Sequence, residues 1–160
     1  MPDATTPAPG GRPSPADTVL YRERLWPAWW VWVVALGVSA AGILVFAPIS
    51  LAAGFTAAVI LLAVLVAALI ATTPAITVTA EAFTAGRASL PRRFAGSAEA
   101  FDGDAATAQR GPALNALAYL CIRGWISPVV RVELTDPEDP TPYWLVSTRH
   151  PDRLVAALAA

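Results

Sequence analysis

"AWWVWVVALGVSAAGILVFAPISLAAGFTAAVILLAVLVAALIA", residues 28–71, is the stretch on which the fold turns. It lies within a longer run, residues 25–80, that holds no Asp, Glu, Arg, Lys or His. Two apolar segments fill it, residues 28–47 and 50–71, with only "PIS" around Pro48 between them. At about 1.5 Å of rise per residue, each is long enough to cross a hydrocarbon core about 30 Å thick. So brief a connection requires an antiparallel hairpin whose tip barely leaves the bilayer. A cleaved signal peptide is shorter, starts earlier and is not followed at once by a second span. Nothing later in the chain could cover two such uniformly apolar helices in a soluble fold.

Composition agrees with a membrane protein. Of 160 residues, 56% are hydrophobic and 14% charged, and the mean hydropathy is +0.53. Ordinary soluble domains are about 25% charged. The formal net charge of −1 gives no concentrated basic face for nucleic acid, so no nucleic-acid partner is expected. All 11 basic residues are Arg, which with the abundant Ala reads as coding bias. The single cysteine, Cys121, excludes an intramolecular disulfide and a multi-cysteine metal site. With one histidine, His150, no metal and no cofactor is expected. Residues 1–20, rich in Pro, Ala, Gly and Thr, are expected to form a disordered tail, too poor in large apolar side chains to offset their ordering entropy.

Arg22 and Arg24 precede the first span, Arg87, Arg92 and Arg93 follow the second, and the tip carries no charge. The positive-inside bias therefore places both termini in the cytoplasm of a multi-pass inner-membrane protein. Trp26, Trp29, Trp30 and Trp32 cluster where the first span begins, as amphipathic anchors at headgroup level. Gly37 with Ala41, and Gly54 with Ala58, are small-residue pairs that permit close helix approach within the hairpin or in a homo-oligomer. No ionisable side chain lies at membrane depth, which argues against a stand-alone pump or transporter.

After the hairpin, residues 21–73, the period changes. In "AITVTAEAFTAGRASLPRRF", Ile76 and Val78 alternate with Thr77 and Thr79, Gly86 marks a tight turn, and "ASLP" reads as the next strand. "AGSAEAFDG" reads as a third strand, closed by the turn at Asp102 to Asp104, and "AATAQRGPALN" as a loop. "AYLCIRGW", "PVVRVELTD" and "YWLVSTR" are further strands, the last two joined by an acidic turn stiffened by Pro137, Pro140 and Pro142. Residues 151–159 form a terminal helix with Pro151 at its first position and an apolar face of Leu154, Val155 and Leu158. The expected fold is α+β: a two-helix transmembrane hairpin, then a small antiparallel β domain over residues 74–160, a barrel or sandwich whose C-terminal helix plugs one edge.

"YRERLWPAWWVW", "ITVTAEAFTAGRASLP" and "VRVELTDPEDPTPYWLVSTRHPDRLVAAL" together resemble the DUF3093 family of actinobacterial membrane proteins. The resemblance covers nearly everything from Tyr21 onward, and "DPEDPTPYWLVSTR" is its most distinctive part. It implies the same architecture but neither a reaction nor a set of site residues. A membrane hairpin followed by a β domain with a final helix is also similar to bacterial pleckstrin-homology-like membrane proteins, and fold alone transmits no function.

Asp136, Glu138 and Asp139 lack the glycine and distal glutamate of a calcium loop and read as solvated turn carboxylates. Ser147, His150 and Asp152 have the residue types of a hydrolytic triad but no nucleophile elbow, so no catalytic residue is assigned. Cys121, in an apolar strand, reads as a core residue. Tyr143 and Trp144 point to opposite faces of one strand, so one is expected in the core and the other exposed near Arg131 or Arg149 as a partner surface. Arg87, Arg92 and Arg93 are candidate contacts for anionic headgroups. The function expected is non-enzymatic: a membrane-tethered interaction or scaffold module for a protein partner. The alternatives are an anionic-lipid sensor and an accessory subunit of a transport or envelope complex.

Overall fold

The computed structural model describes residues 18–160. The expected tail falls outside them except for residues 18–20, and two of those, Val19 and Leu20, open a strand. This strand, β1 (Val19–Arg24), precedes two helices, α1 (Trp29–Phe46) and α2 (Leu51–Ala71). Strand β2 (Ala75–Thr79) follows them and pairs antiparallel with β1, Arg24 opposite Ala75 and Val19 opposite Thr79. The β domain thus begins upstream of the hairpin, not at residue 74, and the hairpin is an insertion between two neighbouring strands.

The quoted apolar stretch forms the two helices, 18 and 21 residues long. Both are long and apolar enough to cross a membrane, and large side chains such as Val33, Leu44, Phe55 and Val64 are exposed along them. They meet along a face of small residues, Ala35 and Ser39 on α1 and Gly54 and Ala58 on α2. A Cβ on Gly54 would come within 3.1 Å of the Ile43 carbonyl oxygen, so the glycine sets the approach of the backbones. Ser39 Oγ, buried in this seam, donates to the Ala35 carbonyl at 2.7 Å and is satisfied within its own helix. Gly37 lies open, with nothing within 4 Å of where its Cβ would be, and Ala41 is exposed. The Gly37–Ala41 pair is therefore outside the hairpin seam.

The remaining strands are β3 (Ala82–Ala85), β4 (Ala88–Pro91), β5 (Ala95–Phe101), β6 (Tyr119–Cys121), β7 (Val129–Leu134) and β8 (Tyr143–Ser147). They make two four-stranded sheets, ordered β1-β2-β3-β4 and β5-β7-β8-β6. The run that began at Ala75 breaks at Thr79, whose hydroxyl accepts from the Ala82 N–H at 3.0 Å and so stands in for a backbone turn partner. Gly86 follows with φ +67°, the conformation that the tightest hairpin turns demand. The domain is not wholly antiparallel: β6 runs parallel to β8, Tyr119 opposite Trp144. Nor are residues 103–110 a loop. They form helix α3 (Gly103–Arg110), started by Asp102, whose carboxylate accepts from the Gly103 N–H at 2.7 Å.

Between the sheets lies one core of Leu25, Ile76, Val78, Phe83, Leu90, Ile126, Val130, Val132, Trp144 and Val146. Trp144 sits 4.4 Å from the Tyr119 ring and 5.7 Å from Phe83, joining the sheets through tilted aromatic contacts. Helix α4 (Pro151–Ala159) buries Leu154 in this core and packs on β5, β1 and β7 at the opening between the sheets. On the outer face of the second sheet, α3 and residues 111–118 cover Val129, Tyr143 and Leu145. With both faces covered, all five residues of β8 are buried.

Gly54→Val places methyl groups against the Ile43 backbone and should destabilise the hairpin by about 1–3 kcal/mol, the usual cost of overpacking. Unfolding in detergent checks this, with Ala53→Val, on the exposed side of α2, expected to change little.

Candidate functional site

The end of the sandwich nearest the helices holds a polar network centred on Glu23 and Thr148. Glu23, pointing inward from β1 with a side chain only 9% exposed, accepts from Tyr21 Oη at 2.6 Å and from the buried Thr148 hydroxyl. Its other oxygen accepts from the Arg149 N–H at 3.0 Å. Thr148 Oγ1 also accepts from the His150 N–H, where α4 begins. One carboxylate therefore ties the strand before the hairpin to the junction of β8 and α4. Burial, and then the neighbouring Glu23 carboxylate, raise the Tyr21 pKa from 10.0 to about 12.

Strand register sorts the arginines by height. From Ala75 to Thr79 the chain climbs about 13 Å away from the helices. Arg87 stays at the helix-proximal end, in the β3–β4 turn, where the Gly86 N–H donates to the Ala75 carbonyl at 2.9 Å. Arg92 lies at the opposite end: its N–H donates to the Glu81 carbonyl, and its guanidinium donates to the carbonyls of Ala157 at 3.0 Å and Leu158 at 2.7 Å. It thereby satisfies the C-terminus of α4, a role fixed by the fold. Arg93 follows it, exposed and stacked 4.6 Å over Phe94. The three arginines expected to share a headgroup patch do not share one, because after the turn at Gly86 and Arg87 strand β4 carries the chain away from the helices before it reaches Arg92 and Arg93.

Other arginines take places at the helix-proximal end. Arg123 donates from Nη2 to the carbonyl of Thr72, the residue that ends α2, at 2.9 Å, and its backbone N–H donates to the buried Ser147 Oγ at 3.0 Å. Arg149 donates from Nη2 to the Trp26 carbonyl at 2.6 Å, just ahead of α1, and lies 4.0 Å from Glu23. Arg24 stacks 5.0 Å over the Trp26 ring. Trp26, Trp29 and Trp30 are exposed and Trp32 half-buried around the base of α1.

Neither Tyr143 nor Trp144 is exposed; they are 4% and 6% accessible. Trp144 belongs to the core, whereas Tyr143 lies under residues 111–118 and its oxygen accepts from the Asn115 N–H at 2.7 Å. Arg131 does lie against an aromatic ring, 4.5 Å over Tyr143, but as part of this covered face. The expected aromatic partner surface is thus core, because the sheet is buried on both sides. Ser147 is fully buried and spent on Arg123, while His150 and Asp152 are exposed. Asp136 and Asp139 turn their oxygens to the N–H groups of Glu138 and Thr141, and the exposed Asp139 titrates below the usual carboxylate range through its bonds to Thr141. Cys121 is buried, and burial pushes its thiol up.

A cleft of about 430 Å³ opens where α2 meets the sandwich, lined by residues 71–75, Gly86, Arg87, Tyr119, Leu120, Cys121 and Arg123. Arg87 and Leu120 at its rim are exposed, and Tyr119 Oη donates to the Ala85 carbonyl at 2.9 Å. The sequence offered little sign of Arg123 or Glu23 as organising residues. Each is one charge among alternating neighbours, and its partners lie 51 and 125 residues away.

Residues 20–158 match the family described as "Protein of unknown function (DUF3093)". The chain belongs to the DUF3093 family. The match runs from Leu20 in β1 to Leu158 in α4 and takes in the hairpin between them, so the DUF3093 unit spans both sandwich and hairpin. No curated protein and no solved structure matches this DUF3093 chain.

Because the Tyr21 pKa rises on folding, its neutral form contributes stability that is fully present below pH 10 and lost as the pH climbs through about 12. Unfolding measured across that window should show a steeper fall for the wild type than for Tyr21→Phe. The comparison cancels the contribution of Tyr119, whose pKa burial also raises.

Proposed function

We propose that this DUF3093 protein is a membrane-tethered, non-enzymatic interaction module. Its hairpin is inserted in the inner membrane, and its sandwich and both termini are in the cytoplasm. What supports insertion is the apolar surface of both helices, whose large side chains are left exposed by the described residues. The distribution of Arg supports the orientation, and the tryptophans at the base of α1 suit the headgroup layer. Two stacked sheets with a C-terminal helix across one opening support a pleckstrin-homology-like reading of the domain.

The observation that carries the proposal is the pairing of β1 with β2 across the base of the hairpin. Only residues 25–28 and 72–74 separate the strands from the helices, so the sandwich is held at one height and one tilt over the bilayer. Such a mount suits a protein that presents a surface to a partner. The end far from the helices carries the acidic turn with Asp136, half-buried, and Glu138 and Asp139, both exposed, as a contact zone. The polar side chains with the chemistry for catalysis, Glu23, Thr148, Ser147 and Tyr143, are instead engaged in holding the fold. An accessory subunit of a larger membrane complex is one form of this role.

Native mass spectrometry of the full-length protein, taken from its own membrane in lipid particles, tests the reading. A second polypeptide retained at fixed ratio is expected, and its retention should fall when Asp136, Glu138 and Asp139 are together changed to Asn, Gln and Asn. A chain recovered only alone contradicts the proposal.

A further inference from the structure

We infer that the cleft between Arg87 and Arg123 is a binding site for the phosphate group of an anionic membrane lipid. The inference rests on the membrane-inserted reading above but not on the protein partner. The cleft is framed by Ala71, the last residue of α2, and by Thr72 and Thr73 just beyond it, and so opens where a spanning helix leaves the hydrocarbon. Arg123 is held there by the fold: Nη2 on the Thr72 carbonyl and Nη1 on the Ile122 carbonyl leave three of its five N–H donors free for an anion. Arg87 faces the same space from a turn whose geometry is fixed by Gly86 at φ +67°. Among the described residues no carboxylate pairs with Arg87 or lines the cleft. Two guanidiniums, one of them pre-positioned and neither neutralised, are the chemistry that recognises a phosphate ester.

Apolar surface adjoins this charge. Leu120 is 44% exposed and lines the cleft, Ala71 is exposed beside it, and Leu117 just ahead of β6 is 63% exposed. A soluble phosphate has no use for such a border, whereas a lipid brings acyl chains to it; this favours a lipid as the source. The acidic residues near this end lie elsewhere. Glu23 is enclosed by Thr148 and Arg149, Asp102 and Asp104 follow β5 on the opposite edge of the second sheet from β6, and Asp152 is on α4.

The test uses the full-length protein in particles of phosphatidylcholine doped with phosphatidylglycerol, with retained lipid read by native mass spectrometry. The wild type should hold phosphatidylglycerol in preference to phosphatidylcholine. Arg87→Gln, an exposed substitution, should weaken that retention about fivefold. Arg123→Lys, which keeps the charge but loses the fork, should weaken it too, and Arg93→Gln, at the far end of the sandwich, should leave it unchanged. Equal loss in Arg87→Gln and Arg93→Gln, or no preference between the lipids, overturns the site. ³¹P NMR with inorganic phosphate and lipid-stripped protein in detergent separates the sources. Tight binding of inorganic phosphate without retention of phosphatidylglycerol overturns the lipid assignment. Protease protection of residues 29–71 in the same particles keeps the two readings apart: an unprotected hairpin fails the insertion reading, whereas a protected one without bound lipid fails this site alone.

Discussion

The pairing of the strands on either side of the apolar hairpin is the constraint that fixes the helices to the sandwich. Pairing of β1 with β2 closes a loop that contains both helices. That loop is long, and closing it carries an entropic cost that the five paired positions alone offset poorly. The hairpin itself lowers the cost, since two helices packed along Gly54 and Ala58 already bring their ends together. The Glu23 network then adds bonds to a charged acceptor, each stronger than an ordinary neutral hydrogen bond. Local packing in the hairpin and a long-range polar tie at its base thus support the same geometry.

Arginine is the residue that binds the helices to the sandwich. Arg92 completes the end of α4, Arg123 the end of α2, and Arg149 holds the carbonyl of Trp26 just ahead of α1. In each case a planar fork reaches backbone carbonyls at a helix boundary, with distance and direction that a lysine ammonium would meet less well. A positive charge at a helix C-terminus also complements its dipole. An arginine bias that reads from composition as coding preference is therefore used structurally. Arg87 and the open side of Arg123 take no such role, and this is why the helix-proximal cleft keeps positive charge with no carboxylate partner among the described residues.

The features with a local signature were legible in the sequence. A run of residues without charge gave the helices, Pro151 and Asp152 the last helix, and alternation around Val130, Val132 and Leu134 the strand that became β7. Features whose cause lies far away along the chain were not. In β1 the inward position is occupied by Glu23, so the usual apolar alternation is missing where it would have announced a strand. β8 looked half-exposed because strand periodicity assigns opposite faces to Tyr143 and Trp144, yet α3 and residues 111–118 cover the outer one. α3 itself has a single buried side chain, Ala106, and is started by a cap at Asp102 that equally suits a turn. The site suffered most: proximity in sequence grouped Arg87 with Arg92 and Arg93, whereas strand register grouped it with Arg123.

The pairing of β1 with β2 is most directly tested by a disulfide. Arg22 and Thr77 are Cα partners in that register, and Thr79 lies opposite Val19 instead. With Cys121 changed to Ser, the double variant Arg22→Cys, Thr77→Cys in lipid particles should oxidise to an intramolecular bridge, seen as loss of two reactive thiols. The shifted pair Arg22→Cys, Thr79→Cys should not. A bridge that forms equally with both partners, or with neither, would mean that β1 is not held on β2 and that the sandwich is free to move on its hairpin.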